Sequence, residues 1–178
     1  MNVFLLDLDP IDAAACYVDD HCAFVTVGRG RPPIRSCKMA IEAVQLLSAA
    51  RVANGLPTLY KATHAKHPWA LACGVRSVYR LVEEYAHALL LEHEHRTGRT
   101  LPTVEAALAA CADSSGIPAG EFRIPICTGE TVWTSNLELA VDRYRRYYAD
   151  AKITKMPRFT RRHVPEWAWY HVTALKRG

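Results

Sequence analysis

The chain has 178 residues, half of them hydrophobic, with a formal net charge of +4 and a mean hydropathy of −0.06. That composition excludes a disordered polyelectrolyte and predicts a single domain over residues 1–178, large enough to build a core without staples. The six cysteines stand singly, with no Cys-x-x-Cys pair, so neither a disulfide framework nor a structural zinc site is indicated; no metal or cofactor is expected.

Val3 to Leu8 is apolar and predicts a short buried strand. Asp9 then caps a helix with Pro10 at its first position and Asp12 in its first turn. That helix is expected to run to about His21. Residues 23–37 hold Gly28, Gly30, Pro32 and Pro33 beside Arg29, Arg31 and Arg35, and read as a basic loop insertion. A helix from Cys37 to Asn54 stops at Gly55. The connection that follows carries Tyr60-Lys61-Ala62-Thr63-His64 and ends in His67-Pro68. Pro68 to Thr97 reads as one long helix, jogged at Gly74 and ended by Gly98. Pro102 to Ala112 predicts a further helix, and 113–134 reads as irregular. Ser135-Asn136-Leu137-Glu138 has capping-box spacing and opens a helix to about Ala151. Residues 152–178 form a basic, aromatic tail.

The sum is a mainly α, compact single-domain helical fold with a short N-terminal strand and long loops. The longest apolar runs, such as Ala86 to Leu91, are interrupted by His or charge, so no membrane span or membrane partner is expected. The opening run carries Asp7 and has no basic segment or small-residue cleavage site. A cytoplasmic protein is expected.

Within the helix that begins at Cys37, Lys38, Glu42 and Gln45 fall in a sector of about sixty degrees. The remaining residues to Ala50 are almost wholly apolar, so the polar stripe is expected to line a cleft. It follows the acidic-histidine step Asp19-Asp20-His21. An amine, a carboxylate and an amide in one cleft form a reactive constellation. A Schiff-base lysine must be unprotonated, whereas a carboxylate four residues away favours the ammonium. Glu42 is therefore the better candidate for the catalytic group.

Other candidates weigh less. His93 and His95 should point about 200° apart on a helix and cannot share an ion. His64 and His67 flank a turn and are candidates to meet a ligand, with a hydrogen-bonded loop role the simpler reading. Asp7 and Asp9 resemble a phosphatase aspartate pair only weakly, and helix capping accounts for Asp9.

From Asp142 to the end, ten basic residues face Asp142, Asp150 and Glu166, which gives this fifth of the chain +7. Arg143, Arg145 and Arg146 interleave with Tyr144, Tyr147 and Tyr148. Lys155, Arg158, Arg161 and Arg162 are followed by Trp167, Trp169 and Tyr170. Arginines neutralise phosphates and aromatic faces stack on bases, so Arg143, Arg146, Lys155, Arg158, Arg161, Arg162, Trp167 and Tyr170 are candidate nucleic-acid contacts, while Tyr144 or Tyr148 is expected to face inward. Arg29 and Arg31 of the inserted loop are further candidates.

In order along the chain, Met1 to Pro10, Asp19 to His21, Lys38 to Leu47, Tyr60 to His64, His67-Pro68, Tyr144 to Tyr148 and Pro165 to Trp167 resemble the pattern of a family of small phage-encoded proteins. That family is distantly similar to phage pyrimidine-dimer DNA glycosylases of the endonuclease V type, compact all-helical enzymes that excise a flipped base and nick the abasic strand. With residues 23–37 taken as an insertion, the resemblance implies that His21 and Glu42 match the family's histidine and catalytic glutamate. It likewise matches Pro165, Trp167 and Tyr170 to the family's DNA-contacting tail. Glu42 would stabilise the developing sugar cation and shuttle protons, and the partner would be damaged, modified or distorted duplex DNA in the host-cell cytoplasm. The chain departs from that pattern in opening Met1-Asn2 rather than on an N-terminal threonine, and in placing Ile41 and Gln45 where arginines flank the glutamate. The nucleophile is thus open among Lys38, the Met1 amine and water. A transferase modifying thymine in phage DNA or a nucleotide, and a non-catalytic nucleic-acid-binding protein, are the alternative expectations.

Overall fold

The computed structural model describes residues 3–17, 37–151, 153, 159 and 161–169. His21, Arg29, Arg31, Lys155, Arg158 and Tyr170, with most of the predicted insertion, lie outside the described residues. The elements in chain order are α1 (Pro10–Ala15), α2 (Lys38–Ala53), α3 (Pro68–Ala72), α4 (Arg76–Thr97), α5 (Pro102–Ala109), β1 (Ile124–Cys127), β2 (Thr131–Thr134) and α6 (Leu137–Ala151). The fold is mainly α, as its patterning predicts. Among the described residues, no helix is long and apolar enough to cross a membrane.

Helix α4 is the central element, packed against α1, α2 and α5. Its Val78, Tyr79, Val82, Tyr85, Ala86 and Leu89 are fully buried, and they meet the face of α2 formed by Ala40, Ala43, Val44, Leu46 and Leu47 in one continuous hydrophobic cluster. Small residues along α2 let the helices approach closely, and burial of each large aliphatic side chain contributes about 1.5–3 kcal/mol.

The N-terminal run departs from expectation. Val3 to Leu6 are buried, yet residues 3–6 form no strand. Two of their carbonyls accept from side chains: the Tyr17 hydroxyl donates to Phe4 O, and Arg145 Nε donates to Leu6 O at 2.7 Å. Asp9 caps α1 as predicted, its Oδ1 accepting from Ile11 N at 2.7 Å, but the helix ends at Ala15. Tyr17 then turns inward, fully buried, and its hydroxyl meets that of Tyr85.

The expected long helix from Pro68 is two helices. Between them Val75 is extended, and Arg76 N donates to Pro118 O at 2.9 Å rather than to a carbonyl of its own helix. Gly74 suits the tight break, since a Cβ there would stand 3.0 Å from Leu71 O. Helix α5 stops at Ala109, short of the expected Ala112.

Residues 124–134, expected to be irregular, form an antiparallel hairpin with Ile124 opposite Thr134 and Cys127 opposite Thr131. Its strands are four residues each, and Pro125 sits inside one, so strand patterning was weak. A proline is tolerated because a two-stranded ribbon leaves one edge of each strand unpaired. Asn136, not Ser135, supplies the side-chain cap of α6, with Oδ1 accepting from Leu139 N at 3.0 Å.

Tyr144 anchors this end of the fold. Its buried hydroxyl donates to Pro125 O at 2.8 Å and accepts from Trp69 Nε1 and Cys127 N, each at 3.2 Å. One hydroxyl thereby joins α3, β1 and α6. Tyr148 is equally buried, so both inward-facing candidates face inward. Tyr144→Phe takes the acceptor from the buried Trp69 Nε1 and the donor from Pro125 O, and is expected to cost about 2–4 kcal/mol in urea unfolding. Tyr147→Phe, at a half-buried ring, should change stability by less than about 0.5 kcal/mol.

Candidate active site

Helix α2 presents the polar stripe at its N-terminal end. Lys38 Nζ lies 3.4 Å from Glu42 Oε1; the lysine side chain is 63 % exposed and the glutamate only 14 %. Gln45, one turn further, is half-buried. The carboxylate is thus largely enclosed while its ammonium partner reaches outward.

The local sequence does little to stabilise this helix start. Cys37 occupies the cap position without a side-chain cap hydrogen bond, the first turn has no acidic residue, and Lys38 sits at the first helical position. A cation there opposes the helix dipole, whose N-terminus favours negative charge. Helix α1 does the opposite, with Asp9 as cap and Asp12 in its first turn. Local choices that run against stability are expected where a site is held for another reason.

His21, the predicted partner of Glu42, lies outside the described residues. His64 is exposed, with a left-handed φ of 54°, and its carbonyl accepts from His67 N at 2.8 Å. His67 Nδ1 accepts from Trp69 N at 3.2 Å and so caps α3. His93 is buried and His95 exposed, as their opposed directions predict. Among the described residues no group of His, Cys, Asp or Glu is arranged to hold a metal, and no disulfide joins the cysteines.

The basic tail is positioned by a buried acid that motif reading passed over. Glu92, with 2 % of its side chain exposed, receives Arg96 Nε at 2.5 Å. It also receives Arg162 Nε at 3.0 Å and Nη2 at 2.6 Å. Arg96 continues to Tyr17 O at 2.7 Å and Ala15 O at 3.0 Å. Arg161, with φ of 58°, donates from Nη1 to His95 O at 2.7 Å. Two candidate phosphate contacts, Arg161 and Arg162, therefore dock the tail onto the C-terminal end of α4. Arg143 and Arg146 lie exposed on α6, the latter 3.0 Å from Asp142. Trp167 is half-buried, edge-on to Tyr148, with Arg145 Cζ 5.9 Å from its ring centroid. The available signal for Glu92 was its i,i+4 spacing to Arg96, which an exposed helix pair shares.

Comparison with known proteins adds no relative. No family model, curated protein or solved structure matches this chain. The functional reading therefore rests on the residues themselves.

Burial alone would raise the Glu92 carboxyl, but hydrogen bonds from Arg162 and Arg96, with their charges, outweigh it and hold it below the usual range. A carboxylate depressed in the folded state contributes stability that is present above its unfolded pKa and lost as pH falls through the lowered value. Urea unfolding from about pH 7 to about pH 3 should show stability falling below about pH 4.5. Glu92→Gln should cost about 3–5 kcal/mol at neutral pH and flatten that acid limb, because it strands two cations on one neutral amide.

Proposed function

We propose that the protein is a DNA-processing enzyme of the glycosylase-lyase type, with Glu42 as its acid-base residue. The observation that carries this reading is the largely enclosed Glu42 carboxylate 3.4 Å from the outward-reaching Lys38 amine. A carboxylate placed against a sugar stabilises positive charge developing at C1′ as the base departs, and it can relay a proton between nucleophile and leaving base. The unprotonated amine of Lys38 would attack C1′, and Glu42 would accept the proton released as the C1′–N bond forms and pass it to the departing base. The bond to the base breaks, the base leaves protonated, and the resulting imine permits elimination of the 3′ phosphate. His21 completes this group in the resemblance to the phage pyrimidine-dimer glycosylases. Gln45, one turn along the same stripe, is a hydrogen-bonding group for the substrate.

Duplex DNA is the proposed partner, met by the exposed Arg143 and Arg146 of α6 and by Lys155, Arg158 and Tyr170 of the tail. Docking of Arg161 and Arg162 on α4 makes them positioning groups for that surface.

The test is incubation with UV-irradiated, abasic and base-modified duplexes, with borohydride added to trap an imine. Glu42→Gln should lower turnover by about 100-fold or more, and Lys38→Met should abolish the trapped adduct while leaving the unfolding midpoint near that of the wild type. A gain of mass on the DNA, without loss of base, would move the same site to group transfer onto thymine. Unchanged DNA in every arm, with Glu42→Gln equal to wild type, sinks the enzymatic reading. Arg143→Ala and Arg146→Ala should each reduce the slope of log affinity against log salt by about one.

A further inference from the structure

A cleft of about 680 Å³ opens between α1 and residues 162–167, apart from Lys38, Glu42 and Gln45. Its volume is in the range of sites that hold small ligands, about 300–1,000 Å³. Two arginines line it, and each is braced by an acid. Arg145 donates to Leu6 O at 2.7 Å and to Asp7 Oδ2 at 2.5 Å; Arg162 grips Glu92 through Nε and Nη2. Each keeps about a third of its side chain exposed, at 33 % and 34 %, and each has an Nη1 group with no hydrogen bond among the described residues. Guanidinium groups fixed along one edge are pre-organised donors for a ligand along the other.

The remaining lining narrows the ligand class. Asp12 is exposed in the first turn of α1, and its charge reaches both Arg162 and Cys16. Glu166 and Asp7 add further negative charge, so a bare inorganic anion is opposed, while a simple cation is opposed by the arginines. Trp167 supplies a flat apolar wall beside Val164 and Pro165. Cys16, whose thiol burial pushes above its ordinary range, is part of the wall. A fitting ligand is planar and carries acceptors and N–H donors side by side.

We propose that this cleft binds a single nucleotide unit. The base lies beside Trp167 and donates an N–H to Asp12, and its carbonyl or phosphate oxygens accept from Arg145 and Arg162. The proposal does not depend on chemistry at Glu42.

The test is isothermal titration calorimetry of the full chain with thymidine and adenosine 5′-monophosphates, inorganic phosphate and a single strand of about twelve nucleotides. Binding of a mononucleotide or of the strand is expected, with inorganic phosphate at least about tenfold weaker. Asp12→Asn and Asp12→Lys should each weaken nucleotide binding about tenfold or more, in line with loss of a hydrogen bond to a charged group. Asp9, not Asp12, caps α1, so both variants should fold, and circular dichroism checks this. Glu42→Gln should bind as wild type, which separates this cleft from the proposed active site. Binding by the strand alone, with the same dependence on Asp12, identifies a polynucleotide as the source of the unit. Nucleotide binding indifferent to both Asp12 variants, phosphate binding as tight as nucleotide, or no binding at millimolar concentration overturns the proposal.

Discussion

Irregular backbone packed against helices must have its carbonyls satisfied without a ladder, and in this protein arginine side chains supply much of that. Arg51 reaches from α2 to Pro57 O and Asp113 O at 2.7 and 2.6 Å. Arg76 holds Ile117 O and Ser115 O, and Arg80 donates to the Ser114 hydroxyl. Arg96 ties the end of α1, Arg145 the N-terminal run, and Arg161 the final segment. The guanidinium suits this task because its five donors lie in a rigid plane and its charge is weakly hydrated. Arg51 and Arg96 are both buried; Arg51 spends its donors on backbone carbonyls, whereas Arg96 is also accompanied by the buried carboxylate of Glu92. The Glu92 cluster is thus where α4, the turn after α1 and the tail depend on one another.

This alters the meaning of the charge asymmetry. A C-terminal excess of basic residues reads naturally as a footprint for a polyanion. Part of it is internal: Arg145, Arg161 and Arg162 satisfy backbone or buried acid. The outward part on α6 is smaller, since Arg146 pairs with Asp142 and Arg143 stands in the open.

The polar stripe of α2 was legible because it depends only on helical periodicity, and Lys38, Glu42 and Gln45 stand together as their spacing requires. Unequal exposure was not legible. Glu42 is enclosed and Lys38 is not, which depends on what packs beside each. The same limit hid Glu92, whose spacing to Arg96 looks like any solvated pair until a third element closes over it. His67 illustrates the converse: its sequence context pointed to a ligand or a loop role, and its position before Pro68 makes it the cap of a short helix.

What the sequence alone determined is whatever a few neighbouring residues decide. Asp9-Pro10 begins α1, the apolar run after Lys38 sets the face of α2, and Gly98 with its φ of 68° ends α4. Tertiary structure decided the rest. It broke the helix at Gly74 so that Arg76 N could meet Pro118 O, buried Val3 to Leu6 without making them a strand, and joined 124–127 to 131–134 as a hairpin. It also set Arg162 against Glu92, which spacing along the chain did not foreshadow. Except in the hairpin, the deciding partner is distant in the chain, so its stabilisation appears only once both segments are packed and water is gone.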